Sequence, residues 1–366
     1  MDDVVAVLGG GQLGRMLGLA GLPLGCRFRF LDPSPDAGAA AVGDLVVGSF
    51  GDETALGRVA DGARGVTYEW EGVPAAAARF LEARGIPVRP GPRALEVAQD
   101  RLVEKDTFRR LGVGVPEYAA VDTRAGLDEG LAMLGTPAVL KTRRGGYDGK
   151  GQHLVSDVPA DADAAWAALG GTPLVLEAFV PFDRELSVIA VRGLDGEVRA
   201  YPLVENVHRD GILRVSRAPA PGLTPALQAR GEAVALRLLE ELDYVGVLAV
   251  ELFQVGDDLL ANELAPRVHN SGHWTIEGAD TSQFENHVRA VLGWPLGSTA
   301  ARGASAMVNA IGALPDRAAV LAVPGAHLHD YAKQPRPGRK VGHVTITAAD
   351  DTAAEAGLER LAHLIG

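Results

Sequence analysis

In the N-terminal part of the chain, short apolar runs alternate with stretches of helical spacing: Val4–Leu8, a helix near 13–20, then runs at 28–31 and 66–70. Strands that follow one another through helices rather than tight turns predict a parallel α/β sheet. Pro87, Pro90 and Pro92 interrupt this pattern, and 100–111 reads as an amphipathic helix opening a second unit. Within that unit, 138–141 and 174–180 predict short strands flanking a glycine-rich loop and an alanine-rich helix, Ala160–Leu169. Beyond Pro181, strands at 186–191 and 247–253, a helix at 227–242 and a closing helix at 353–364 predict a third region. The proline-bounded segment 315–324 is expected to cross back towards the first unit.

A chain of 366 residues, 47% hydrophobic and 22% charged, has room for roughly two or three packed units and is not extensively disordered. Lys+Arg 35 against Asp+Glu 47 gives a net charge of −12, which argues against general affinity for nucleic acid or an anionic membrane. Any anionic ligand must then be held by a local site. Against an arginine-rich background the lysines are few: Lys105, Lys141, Lys150, Lys333 and Lys340. They are candidates for work that suits a compact ammonium, the alternative being a scatter of solvated surface lysines. A single Cys26 excludes an internal disulfide and fits a reducing compartment. No basic region precedes the first strand and no apolar run is long enough to span a bilayer, so a cytoplasmic location is expected.

Gly9, Gly11 and Gly14 follow the first strand with G-x-G-x-x-G spacing, and Asp32 closes the second strand, as in an NAD-binding fold. Alone, this segment favours an NAD-dependent oxidoreductase, although any turn that brings an anion to the backbone needs the same glycines. Residues 247–263 read as a β-hairpin. With Val255 opposite Leu259 across a three-residue loop, Glu251 falls opposite Glu263 on one face. Carboxylates with Cβ atoms ~5 Å apart repel unless a divalent cation lies between them, and oxygen ligands select Mg²⁺ or Mn²⁺. The alternative is an exposed acidic hairpin with arginine partners.

The loop 144–151 can cradle a phosphate with its backbone N–H groups while Lys150 adds charge, without satisfying the Walker A pattern. A mobile hairpin tip has the same composition. Lys141, at a strand end, can reach a phosphate or snorkel from a sheet edge. Arg267, His269, Asn270 and His273 crowd one short span with no soft third ligand nearby, which suits substrate hydrogen bonding better than metal binding, or a structural turn. Lys333, Arg336, Arg339 and Lys340 concentrate positive charge, as an anchor for a phosphorylated substrate or as a solvated basic loop.

Assembled in order, these segments resemble the ATP-grasp enzymes, and among them the N5-carboxyaminoimidazole ribonucleotide synthetase family of purine biosynthesis. The resemblance is carried by GGGQLGRML at 9–17, TYEWE at 67–71, DRLVEK at 100–105, RRGGYDGKGQ at 143–152, ENVHRDGIL at 205–213, NELAPRVHNSGHW at 262–274 and RPGRKVGH at 336–343. It implies a mixed α/β and α+β ATP-grasp fold: a Rossmann-like N-terminal domain at 1–97, a small lid domain at 98–178, and a large domain at 179–366 with a C-terminal substrate-binding segment.

By position, Arg101, Lys141, Gly146, Tyr147, Asp148, Gly149, Lys150, Gly151, Gln152, Glu177, Ala178, Phe179, Val180, Glu185, His208, Asn262 and Glu263 would bind ATP. Glu251 and Glu263 would bind Mg²⁺ or Mn²⁺. Gln12, Leu13, Glu69, Glu71, Arg267, His269, Asn270, Lys333, Arg339 and Lys340 would face the ribonucleotide and bicarbonate, with Tyr147, Asp148 and Lys340 as catalytic candidates. Trp70 and Gly72 stand where the family commonly has Phe and Asn, so position 72 has no amide to offer. The implied activity is ATP-dependent carboxylation of 5-aminoimidazole ribonucleotide with bicarbonate, through carboxyphosphate, in a cytoplasmic homodimer that acts on small molecules. A formate-using glycinamide ribonucleotide transformylase, an NAD-dependent oxidoreductase and a silent nucleotide-binding regulator are the competing readings. The YDGKGQ and HNSGHW segments favour the bicarbonate enzyme, and the Gly9 turn is reassigned from a dinucleotide to another phosphorylated ligand.

Overall fold

The computed structural model describes residues 3–146 and 149–365. A four-stranded parallel sheet runs in the order Asp44–Val47, Arg27–Asp32, Val4–Leu8, Gly65–Tyr68. Val5, Val7, Phe28 and Phe30 pack on helix Gln12–Gly21, while Ala6, Leu8 and Leu31 pack on helix Glu53–Ala60. This is why the strands read as continuous apolar runs: both faces are covered.

A second, four-stranded antiparallel sheet has the order Tyr118–Val121, Leu174–Ala178, Ala138–Thr142, Gln152–Val155. Helices Arg124–Leu134 and Ala160–Leu169 bury Leu140 and Leu176 on one face. Strand alternation sends Val139, Lys141 and Glu177 to the other face. Val139 pairs with Glu177, so Lys141 and Glu177 are diagonal neighbours.

The third sheet has nine strands. Its path is Asp258–Ala265, Gly246–Val255, Arg184–Arg192, Val204–Arg209, Ile212–Ala218, Ala304–Ile311, Lys340–Ala348, Ala326–Asp330, with Val198–Ala200 paired to Arg184–Arg192. Helix Pro225–Glu241 covers Val250 and Leu252, and helix Asp351–Ile365 covers Val344 and Ile346 at the far end. Helix Gln283–Leu292 joins this sheet to the first, since Phe284, Val288 and Val291 share one core with Val5, Leu17, Phe28 and Val247.

Two predicted strands stop early, at Tyr68 and Ala178, because the residues that follow turn out to line a cavity. The segment 315–324 does not cross back: Arg317–Leu321 is a short helix against Ala326–Asp330. The return to the first unit comes later, where Lys333 hydrogen-bonds Gln12. Among the described residues no helix is long and apolar enough to cross a membrane.

Candidate active site

Gly246–Val255 and Asp258–Ala265 form the expected hairpin through a shorter turn. Val255 pairs with Asp258 across Gly256 and Asp257, with Gly256 at φ +59°, and not with Leu259 across three residues. Continued unbroken, this register would set Glu251 against Asn262 and turn Glu263 under helix Pro225–Glu241. A bulge intervenes between Glu251 and Leu252, Asn262 becomes the extra residue, and Glu251 and Glu263 are direct partners. The pairing of carboxylates expected from the sequence holds; the loop assumed for it does not.

Burial, and then the charge of Glu263, push Glu251 up to about 7. The same two causes hold Glu104 high, although it accepts a hydrogen bond from the Leu264 N–H at 2.5 Å. Arg101 Nη1 lies 3.0 Å from Glu263 Oε2. Ser187 pairs with Glu251 and Glu185 with Phe253, so Glu185 joins the same face. Its carboxylate ion-pairs with His208. Burial alone would lower His208, but the Glu185 hydrogen bond and the charge of Glu251 prevail and raise it.

Across from the hairpin, Lys141 Nζ donates to Glu177 Oε2 at 2.9 Å. Lys105 Nζ is 3.2 Å from the same oxygen and donates to the Asn262 carbonyl at 3.3 Å. Burial opposes ionisation of Glu177, yet the two ammonium groups bring it down to about 2. Lys105 is absent from the site set inferred from sequence. It is fully buried and fastens Lys141, through Glu177, to the bulge that aims Glu263. Its signals in the sequence were its place among the few lysines and at the end of the DRLVEK segment.

The glycine turn serves an unexpected partner. The Gly11 and Gly14 N–H groups donate to the Glu69 carboxylate, the second at 2.7 Å, and the Gly10 N–H donates to Asp32 Oδ2 at 2.8 Å. The N-terminus of helix Gln12–Gly21, where a dinucleotide fold receives pyrophosphate, therefore holds the chain's own carboxylate. A Cβ at Gly9 would lie 2.5 Å from Glu69 Cγ, and one at Gly11 2.6 Å from Glu69 Oε1, so these glycines make room for Glu69. Both readings of this turn, as a site for NAD and as a site for another phosphorylated ligand, are corrected accordingly. Burial raises Glu69 against its backbone donors and Lys333. Arg267 ion-pairs with Glu71 and holds it low against burial. Burial lowers Lys333 to about 8, with Arg339 and Lys340 adding to the effect.

The paired carboxylates, Arg101, Lys141, Glu177, Glu69, Glu71, Arg267 and Lys333 meet in one cavity of about 990 Å³. Its wall includes Gln12, Leu13, Glu69, Glu71, Arg101, Lys141, Gly149, Lys150, Gln152, Glu177, Ala178, Phe179, Val180 and Glu185. It continues through His208, Glu251, Asn262, Glu263, Arg267, His269, Asn270, Lys333, Arg339 and Lys340. Gly146 and Gly151 are not on it; a Cβ at Gly151, where φ is +72°, would lie 2.6 Å from Thr142 Oγ1, and one at Gly146 3.0 Å from the Lys150 carbonyl oxygen. Tyr147 and Asp148 lie outside the described residues. Val139, Phe182, Leu213 and Phe253 were not placed at the site from sequence, yet they line it together with His273 of the 267–273 span, and Phe182 and Phe253 stack at 4.7 Å between centroids. Apolar strand residues read as core until the face they occupy is seen to open on a cavity.

The family models for a ribonucleotide synthetase preATP-grasp domain, an ATP-grasp domain and a phosphoribosylaminoimidazole carboxylase C-terminal domain match residues 1–99, 106–284 and 305–357. The chain is 53% identical to the N5-carboxyaminoimidazole ribonucleotide synthase of Pseudomonas aeruginosa over 361 residues, 99% of each chain. It is 44% identical to that of Mycobacterium bovis over 360 residues, 95% of this chain and 84% of its relative. The crystal structure of the synthetase from Thermus thermophilus matches with a TM-score of 0.95 and 62% identity, covering 99% of this chain and 98% of the other. The Aspergillus clavatus synthase in complex with ADP and 5-aminoimidazole ribonucleotide matches with a TM-score of 0.92 and 34% identity, covering 100% and 98%. The chain belongs to the N5-carboxyaminoimidazole ribonucleotide synthetase family of ATP-grasp ligases.

Proposed function

We propose that this cavity brings Mg-ATP, bicarbonate and 5-aminoimidazole ribonucleotide together and yields N5-carboxyaminoimidazole ribonucleotide, ADP and phosphate. The observation that carries this reading is the convergence on one cavity of the paired Glu251 and Glu263, the Lys141 cluster and the basic segment 333–340. Glu251 and Glu263 fit a magnesium ion, because they share a face and burial with mutual repulsion keeps Glu251 from ionising freely. Glu251 and Glu263 would hold the ion, which would supply charge neutralisation and Lewis acidity to the phosphoryl transfer.

Val139, Phe182, Leu213 and Phe253 offer an apolar slot for the adenine, and Lys141 sets positive charge against the phosphates. A bicarbonate oxygen attacks the γ-phosphorus as the bond to ADP breaks, giving carboxyphosphate. Such a transfer needs alignment and charge compensation more than covalent help. Lys333, Arg339 and Lys340 hold the ribonucleotide phosphate. Arg267, fixed by Glu71, faces the reacting carboxyl group beside His269, which burial and the Arg267 charge keep neutral. The exocyclic amine then attacks the carboxyl carbon, phosphate departs and the nitrogen loses a proton. The resemblance assigns Asp148, outside the described residues, to orienting the amine, and the loop that carries it to keeping water from labile carboxyphosphate.

This reading includes units at 1–97, 98–178 and 179–366, supported by the three sheets falling within those ranges, and a cytoplasmic homodimer as the resemblance implies. The test is NMR of the purified protein with [¹³C]bicarbonate. A carbamate carbon that requires both ATP and 5-aminoimidazole ribonucleotide is expected. Incorporation from formate in its place would refute the assignment.

A further inference from the structure

Behind the cavity lies a polar core where an apolar one is expected. The strands Ala304–Ile311, Lys340–Ala348 and Ala326–Asp330 turn Ala306, Val308, Val344 and Ile346 towards helix Asp351–Ile365. Their opposite face carries Ser305, Asn309, His343, Thr345 and His329, of which all but His329 are buried. Three imidazoles form a row across it. His273 stands on the cavity wall, its ring centroid 4.8 Å from that of His343, which stacks on His329 at 4.3 Å and 7°. His329 Nε2 bonds Glu277 Oε1 at 2.7 Å, and its side chain is 23% exposed without lining the cavity, so the row ends at the outer surface.

His343 Nδ1 bonds the Tyr331 hydroxyl at 2.8 Å. Its Nε2, together with His273 Nδ1, Glu277 Oε2, Ser305 Oγ and Thr345 Oγ1, is buried without a hydrogen-bond partner among the described residues. Buried polar atoms gathered in this way call for ordered water. The charged and titratable groups facing the row are Glu277 and Tyr331, with Lys340 and Arg267 acting on His273 from the cavity side. Burial first, and then neighbouring rings, hold His273 and His343 well below the ordinary histidine value. Each is therefore neutral, with one N–H and one lone pair, as a relay requires.

We propose that His273, His343 and His329, bridged by ordered water and the Tyr331 hydroxyl, carry the proton lost by the amine from the cavity to the outer surface. The inference rests on the carboxylation reading above. As the nitrogen–carbon bond forms and the carboxyl–phosphate bond breaks, the nitrogen's proton passes to one nitrogen of His273 while the other yields a proton through water to the Tyr331 hydroxyl, which passes its own to His343 Nδ1, and His343 Nε2 releases a proton through water at the edge of the stacked rings to His329. The last proton leaves through His329 and Glu277, and no further reactant is needed.

His343→Gln and His329→Gln test this; the second alters a part-exposed residue, so its fold is safe if the first proves unstable. In weak buffer both should lower kcat on the order of tenfold or more with unchanged KM for ATP and ribonucleotide, and enlarge the solvent deuterium isotope effect. Added imidazole should restore His329→Gln. Wild-type kcat and isotope effect in both variants would overturn the relay, as would a loss that neither responds to imidazole nor alters the isotope effect. A wild-type protein that forms no carbamate would overturn the reaction itself and the relay with it.

Discussion

Replacing Glu251 by glutamine separates the strain its charge imposes on the fold from what that charge gives the reaction. Burial and Glu263 raise the carboxyl from 4.5 to about 7, and 7 − 4.5 at ~1.4 kcal/mol per pH unit corresponds to ~3 kcal/mol. The side chain is 24% exposed, so ~1–3 kcal/mol remains after solvent screening. Because the folded value is the raised one, the penalty is absent below the unfolded value and complete once pH exceeds about 7. Glu251→Gln should therefore melt near wild type at acidic pH and above it at pH 8. With unfolding entropy of ~2 cal/mol/K per residue over 366 residues, the gain is ~1–4 °C. Magnesium should raise the melting temperature of wild type and leave the variant unmoved, while carboxylation falls on the order of 10²-fold or more. Scanning calorimetry across pH, with and without Mg²⁺, reads the first two effects. A variant destabilised equally at both pH values, or one retaining magnesium-dependent turnover, would refute the reasoning.

Gly11→Ala drives a Cβ to 2.6 Å from Glu69 Oε1 and should expel that carboxylate from the helix N-terminus. The ribonucleotide KM then rises on the order of tenfold, ~1.4 kcal/mol, while ATP binding by calorimetry is unchanged. Lys333, lowered to about 8 by burial, loses its charge as pH rises through that value. The ribonucleotide KM should climb across the same range in steady-state kinetics, and Lys333→Arg should flatten the climb because a guanidinium stays protonated. Lys105→Met leaves Glu177 buried with a single ammonium, and urea unfolding should show a loss of ~3–5 kcal/mol, partly recovered in Lys105→Met/Glu177→Gln.

How far the site could be read from sequence differs from residue to residue for physical reasons. Strand alternation, counted from an assumed three-residue loop, placed Glu251 and Glu263 on one face, and the pairing holds although that loop does not form. The short turn and the Asn262 bulge compensate each other, and neither is written locally. The bulge coincides with distant partners, Lys105 on the Asn262 carbonyl and Glu104 on the Leu264 N–H. The glycines at 9–14 announced a close approach to the backbone but not its agent, since Glu69 arrives from another strand. Phe182 and Phe253 carry no mark that separates a base-binding wall from a core. His273 was visible in its motif, whereas the row behind it exists only because Lys340–Ala348 pairs with Ala326–Asp330.

That bicarbonate meets the γ-phosphate of ATP in this cavity is tested most directly by supplying [¹⁸O]bicarbonate with Mg-ATP and 5-aminoimidazole ribonucleotide and following the released phosphate by ³¹P NMR. The expected phosphate carries one oxygen from bicarbonate and appears in step with the carbamate. Unlabelled phosphate, or phosphate released at the same rate without the ribonucleotide, contradicts it.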